Sequence, residues 1–313
     1  MVNDDQIKAQ ISPFAIREGE IKKFDGKDGY VSMNQIVHKI DIGHITDIHF
    51  SILEIVNDFE FITSRQIYQL LEWKGIDPKS QDKLNNKLDQ LVKSKILTRY
   101  YFDSDEGKGI YRIYCLEKMG KYLLQSKEIE CRWQPSDNTK TVAMIKKRLA
   151  GNQTLIAYLR KVKVFDSYIV KPVINDKISG KAFKATGGRV KLTKNQKSIE
   201  FLFEVVRRES EWEKKLVDRM RQYKNFYENF VPGDSGFSSM PQLILVCEDD
   251  KHMALCFREI LQNRVEINQI KMLFTTDLRQ NNDTLKDTLI EFVLNPETKK
   301  YKMENVELKL LEM

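Results

Sequence analysis

Between Gln81 and Gln90 the chain interleaves amide and ammonium side chains, Gln81, Lys83, Asn85, Asn86, Lys87 and Gln90, with the apolar positions Leu84 and Leu88. Asparagine and glutamine bond bidentately to adenine edges, and lysine reaches guanine edges or phosphate oxygens. The set therefore suits the major groove of a DNA duplex. Lys79, Lys95, Arg99, Lys108 and Arg112 lie around it in sequence and suit contacts to the phosphate backbone. The competing reading is a solvated helix face, and it weakens only if the surrounding elements present this face as a reading head.

Those elements are legible. Thr63 and Ser64 follow an apolar pair and can cap a helix that continues through Ile67, Leu70 and Leu71. Gly75 ends that helix, and Asp77-Pro78 offers a cap followed by proline at the first helical position. From Ser80 the spacing of Leu84, Leu88, Leu91 and Val92 marks one buried face, which leaves the amide and lysine side chains on the other. Leu97–Asp103 alternates as a strand, residues 104–109 supply turn chemistry, and Ile110–Cys115 returns as a second strand. Leu116, Met119, Leu123 and Leu124 close the unit as a helix, and Ile48, Ile52, Ile55 and Val56 open it. The whole predicts a winged helix-turn-helix over residues 46–130. Such units bind duplex DNA, and some dock proteins instead.

Composition sets outer bounds. The chain has 313 residues, 41% of them hydrophobic, enough for two packed cores. Its net charge of +7 suits a nucleic-acid partner, but 45 acidic residues among 52 basic ones require any basic face to be local. No apolar run approaches the ~20 residues of a membrane span, and the acidic start lacks a signal peptide's apolar core, so a cytoplasmic protein with no membrane partner is expected. Cys115, Cys131, Cys247 and Cys256 follow no paired spacing and read as buried free thiols. The histidines His38, His44, His49 and His252 do not group with them at ligand spacing, and a His44/His49 pair lacks a carboxylate or thiolate partner. No metal site and no cofactor are expected.

Residues 1–45 read as an N-terminal arm with one short helix over Met33–Ile40, suited to packing on the winged unit or to contact with a second copy in a homodimer. Glu130–Asp137, with Trp133 and Pro135, is the expected linker. Residues 136–313 then alternate between helix and strand. Thr139–Leu149 and Thr154–Val162 read as helices, Asp166–Val173, Lys184–Leu192 and Ile199–Val206 as three strands, and Glu209–Tyr227 as a long helix. Leu243–Cys247 and Lys271–Thr275 read as buried strands around a helix at His252–Leu261. That order implies an α/β sheet covered on both faces, so the fold class is an α+β winged unit followed by an α/β domain.

Phe61–Ile67, Leu88–Leu97 and Leu116–Leu124 together resemble the replication-relaxation family of plasmids and integrative elements in Gram-positive bacteria. In that family a winged helix precedes a domain similar to the restriction-endonuclease-like fold, and the likeness covers roughly residues 50–280. Lys95 departs from the pattern, since such helices usually end in a glycine that accepts a left-handed cap. The active form of the nuclease fold needs an acid on the middle strand and Glu-x-Lys on the next, holding Mg²⁺ and positioning water. Glu204 falls at the glutamate, but Val206 occupies the lysine position and the preceding strand, Gly188–Leu192, carries no acid. Lys214 or Lys215 would have to replace the lysine, and Asp166 or Asp176 the missing acid. Arg219 and Tyr223, one turn apart, resemble a helix motif of some such nucleases. Arg189, Arg207 and Arg208 would line the former cleft and favour phosphate, or else pair with Glu209, Glu211 and Glu213.

These readings combine into sequence-specific duplex DNA binding in the control of plasmid or mobile-element replication or transfer. The nuclease-like domain is expected to be degenerate, and replication or transfer proteins join DNA as expected partners. The rivals are a transcriptional repressor with a sensing or docking C-terminal domain, a Mg²⁺-dependent nuclease using Glu204, and a protein-docking adaptor.

Overall fold

The computed structural model describes residues 11–104, 107–178, 180–281, 284–285, 287–297 and 299–308. The chain forms two compact mixed α+β units. One is Ile16–Asn152; the other joins residues 11–15 to the described residues from Gln153 onward. The division therefore falls at Asn152, not in the Glu130–Asp137 segment expected as linker. Hydrogen bonds explain the shift. Lys121 donates to the Trp133 carbonyl at 2.9 Å, the Trp133 indole donates to Asn138 at 3.1 Å, and Asn138 donates to the Leu116 carbonyl at 2.9 Å. Proline did not loosen a segment so tied to the helix and strand before it.

In the first unit α1 (Met33–Asp41) starts on a Ser32/Gln35 capping box. α2 (Asp47–Phe59), the two-residue strand β2 (Ile62–Thr63), α3 (Ser64–Trp73) and α4 (Gln81–Lys93) follow. β3 (Leu97–Ser104) and β4 (Gly107–Leu116) form an antiparallel hairpin, and α5 (Lys118–Ser126) closes the unit. β2 pairs with β4, and β1 (Ile21–Phe24) pairs antiparallel with β3, giving the strand order β1-β3-β4-β2. Part of the expected arm is thus a sheet strand whose backbone completes the edge of β3. Ile52, Val56, Leu70, Leu84, Leu88 and Ile113 are all at most 1% exposed and form the core. α5 seats itself at Gly120, where a Cβ would lie 2.4 Å from the Ile96 carbonyl oxygen.

α4 starts later than Asp77-Pro78 suggests, with Ser80 as its cap. Lys79 adopts a left-handed backbone (φ 69°), and its N–H bonds the Asp77 carboxylate at 2.7 Å, so Asp77 closes a turn ahead of the helix. Lys95 also takes the left-handed conformation (φ 53°) that glycine usually supplies.

α6 (Val142–Lys161) is one continuous helix where two were expected. The Asn152 side chain, a candidate breaker, donates to the Phe59 and Phe61 carbonyls at 3.1 and 2.8 Å, so it does not compete for the helix backbone. In the second unit β5 (Phe165–Ile169), β8 (Gly188–Lys194) and β9 (Lys197–Val205) pair antiparallel. β10 (Gln242–Cys247) and β11 (Leu273–Thr276) continue parallel to β9, and β12 (Ile290–Leu294) and β13 (Tyr301–Asn305) finish antiparallel. The small hairpin of β6 (Val173–Asp176) and β7 (Lys181–Lys184) stands apart and was not expected. One sheet face packs on α6, with the Tyr158 ring 5.8 and 5.0 Å from those of Phe201 and Phe203. The other carries Leu202 and Leu245 against α7 (Trp212–Glu228) and α8 (Asp250–Gln262). Among the described residues no helix is long and apolar enough to cross a membrane.

Candidate nucleic-acid interface

The amphipathic spacing of α4 buries Leu84, Leu88 and Leu91 fully, with Val92 at 4% exposure. The opposite face presents Lys83 and Asn86 exposed and Gln81, Asn85 and Lys87 half-buried. The Gln81 amide donates to the Asn85 amide oxygen at 3.2 Å, one turn apart. His49 of α2 anchors the helix to the unit. Its Nδ1 accepts from the Thr46 N–H at 3.1 Å, which leaves the Nε2 proton for the Gln90 amide oxygen at 3.1 Å. Burial is the largest cause holding the His49 pKa down, and Lys87 adds to it, so this link operates with a neutral ring. The arrangement uses Gln90 to hold α4 in place and leaves Lys83, Asn86 and Lys87 on its outer side.

The flanking cations divide. Arg99 is engaged inside the unit: its Nε lies 2.9 Å from the Asp25 carboxylate, it donates to the Asp25 carbonyl at 3.1 Å, and a second nitrogen bonds Asp89. A residue expected at phosphate thus ties α4 and β3 to the segment after β1, a role that depends on Asp25, 74 positions away. Arg112 also reaches Asp25, at 2.8 Å, but remains largely exposed. Lys79 pairs with Asp77 at 2.8 Å in full solvent contact, where such pairs contribute little. Lys95 donates to the Gly29 carbonyl at 2.6 Å. Lys108 belongs to β4, and its side chain lies outside the described residues.

Glu204 is 4% exposed on β9 and fully engaged. It accepts from the Tyr223 hydroxyl at 2.8 Å and the Thr186 N–H at 3.2 Å, and the Arg219 Nε lies 3.3 Å from its other oxygen. Burial first, and then the Glu204 charge, raises the Tyr223 pKa well above the usual phenol range, so the hydroxyl stays a donor. Four residues back on the same face, Glu200 pairs with Arg189 at 2.6 Å and accepts from Ser238 at 3.0 Å. Each inward carboxylate of β9 is therefore neutralised by an arginine where a metal centre would need it free. Lys215 bonds Glu209 at 2.9 Å and Lys214 is exposed on the first turn of α7, so no described contact brings either to Glu204. Asp166 pairs with Lys191 and Thr193, and Asp176 accepts from the Ile178 N–H.

The arginines expected to offer phosphate contacts are consumed internally, by partners other than the neighbouring glutamates. Arg207 is 1% exposed and forms a two-pronged pair with Asp277 at 2.7 and 2.9 Å, while Ser12 donates to the same carboxylate. Arg208 grips Glu248 at 3.0 Å and Asp249 at 2.7 and 2.9 Å. The fold also assembles a group that the sequence reading separated. Donor atoms of Cys247, His252 and Cys256, all 0% exposed, lie within 4.8 Å of one another. The Cys-x₄-His-x₃-Cys spacing was visible, but only a strand end meeting a helix start makes it converge.

No family model matches the chain, and no curated protein matches it. Among solved structures it is similar to restriction endonuclease FokI at 12% identity, with a TM-score of 0.26, over 74% of this chain and 42% of that one. The chain spans less than half the length of the FokI chain, and a likeness of that strength carries no structural argument.

Proposed function

We propose that this chain binds duplex DNA through its Ile16–Asn152 unit, acting as a winged helix with α4 in the major groove and the β3–β4 hairpin as wing. The observation that carries the reading is α4 itself. It is capped at Ser80, buried on its leucine face, held by His49, and left with Lys83, Asn86 and Lys87 outward. The preceding helix, the β2–β4 pairing and the hairpin supply the order of elements this docking mode uses. In the second unit, a restriction-endonuclease-like domain whose carboxylates are held by Arg189 and Arg219 supports DNA contact or docking over cleavage. With the resemblance in the winged unit, the reading extends to control of plasmid or mobile-element replication or transfer.

The test is binding of the purified chain to fragments of its own genetic neighbourhood at two salt concentrations, with and without Mg²⁺. Salt-sensitive binding to one fragment is expected, and Lys83→Ala with Lys87→Ala should lower the salt slope by about 1.8, at roughly 0.9 per phosphate contact. A footprint at the chain's own promoter and not at an origin would favour a repressor. Mg²⁺-dependent cleavage would restore the nuclease, and no binding to any fragment would refute the proposal.

A further inference from the structure

β10 ends at Cys247, and α8 begins three residues beyond it at Asp250, capped by Asp249, whose carboxylate accepts from the His252 N–H at 2.7 Å. That cap turns the first two turns of α8 back over the strand end. His252 and Cys256, four residues apart, share one helix face, and the face meets Cys247. The Nε2 atom of His252 is buried with no hydrogen-bond partner among the described residues, and a buried polar atom left unsatisfied is costly. Nδ1 accepts weakly from the Glu248 N–H at 3.3 Å, and the Trp212 ring packs edge-on at 5.0 Å. The two thiols contact each other, and among the described residues no ion pair engages any of the three side chains.

We propose that Cys247, His252 and Cys256 form a buried soft-metal site that takes Zn²⁺. Thiolate and imidazole are the donors zinc selects, and three protein ligands leave its fourth tetrahedral position to water or an added ligand. Sulfur ligands on one zinc lie about 3.8 Å apart, so donor atoms already within 4.8 Å of one another need to close by no more than about 1 Å between the sulfurs, by side-chain rotation. Charge decides which ion. Two thiolates and a neutral imidazole cancel a divalent cation, leaving a neutral centre in a core where any residual charge is costly. A monovalent ion would leave one negative charge uncompensated. With Nδ1 accepting from the Glu248 N–H, the metal-free neutral ring carries its proton on Nε2, so ligation through Nε2 shifts that proton to Nδ1 and gives up this weak bond. Binding converts two thiols to thiolates and releases two protons to solvent. The ion would pin α8 to the end of β10 beside the Arg208–Glu248 pair.

The test is Co²⁺ addition to the metal-stripped full chain under reducing conditions, to the native protein and to protein refolded with the ion. One Co²⁺ per chain is expected, with near-ultraviolet thiolate charge-transfer absorption, tetrahedral visible bands, two protons released and displacement by Zn²⁺. Cys247→Ser and Cys256→Ser should each remove the charge-transfer band or lower affinity more than about 100-fold, while Cys115→Ser leaves both intact. If the serine variants fail to fold, stoichiometry and proton release on the unaltered chain decide the matter alone. Folded chain showing no thiolate–cobalt band in excess Co²⁺ would overturn the proposal. So would a Cys247–Cys256 disulfide in the unreduced protein, or a band surviving both serine changes.

Discussion

Glu204→Gln separates a structural carboxylate from a catalytic one. The substitution keeps the shape, and the amide oxygen can still accept from Tyr223 or Thr186. Its NH₂ group must then face the Arg219 Nε across the 3.3 Å gap, donor against donor, and Arg219 loses its counter-charge. Breaking a buried pair from one side costs about 3–5 kcal/mol. The Arg219 side chain is 27% exposed and keeps part of its hydration, which brings the expected loss to about 2–3 kcal/mol. For a unit of this size each kcal/mol moves Tm by about 2–4 °C, so the transition of the C-terminal unit should fall by roughly 5–10 °C. Changing Arg219→Gln as well should recover part of the loss, because the two effects are coupled. The assay is thermal denaturation with and without Mg²⁺, beside plasmid cleavage. An unchanged or raised Tm in the single variant would refute the reasoning. So would a Mg²⁺-induced rise in the parent that the variant loses, because both describe a carboxylate held free for a metal.

In the metal-free chain, acid should destabilise the second unit through His252. Its folded pKa is lowered to about 3 from the ordinary 6.5, so its contribution is complete above pH 6.5 and is lost as pH falls toward 3. Between pH 7.5 and 5 this group alone should cost about 2 kcal/mol in urea unfolding, and His252→Asn should flatten that slope. Arg99→Ala should destabilise the first unit by about 2 kcal/mol, because it strips Asp25 and Asp89 of their shared partner. Arg112→Ala, by contrast, should leave stability within about 0.5 kcal/mol and lower the salt slope of DNA binding by about 0.9. Equal behaviour of the two variants in both assays would contradict the division between them. Gly120→Ala should cost about 1–3 kcal/mol despite alanine's better helix propensity, since its Cβ meets the Ile96 carbonyl. A variant as stable as the parent would show that α5 can move away freely.

The helices were the legible part. Leu84, Leu88, Leu91 and Val92 place α4 because helical periodicity is a local property, and local spacing is what a sequence displays. The alternating hairpin strands were legible for the same reason. β1 was not: its residues, Ile21–Phe24, carry little alternation, and it is a strand only because β3 offers an unpaired edge. β13 also lies at a sheet edge with most of its side chains in solvent, and β12 beside it is half-buried along its middle, so neither shows the alternating burial that advertises a strand. The run of α6 through Gly151 was hidden because its partners, the carbonyls of Phe59 and Phe61, lie about 90 residues away.

The amino-acid sequence by itself determined the amphipathic elements, the outward amide and lysine face of α4, and the departure of β9 from a Glu-x-Lys pattern. Each depends only on residue type and spacing along one element. Tertiary structure alone decided which charges are free to meet a ligand. Arg99 went to Asp25, Arg207 to Asp277, Arg189 to Glu200 and Arg219 to Glu204, pairs separated by up to 74 positions. It also decided that Cys247, His252 and Cys256 converge. A buried charge must find an opposite charge or neutralise, and the fold brings the partner from wherever in the chain it lies.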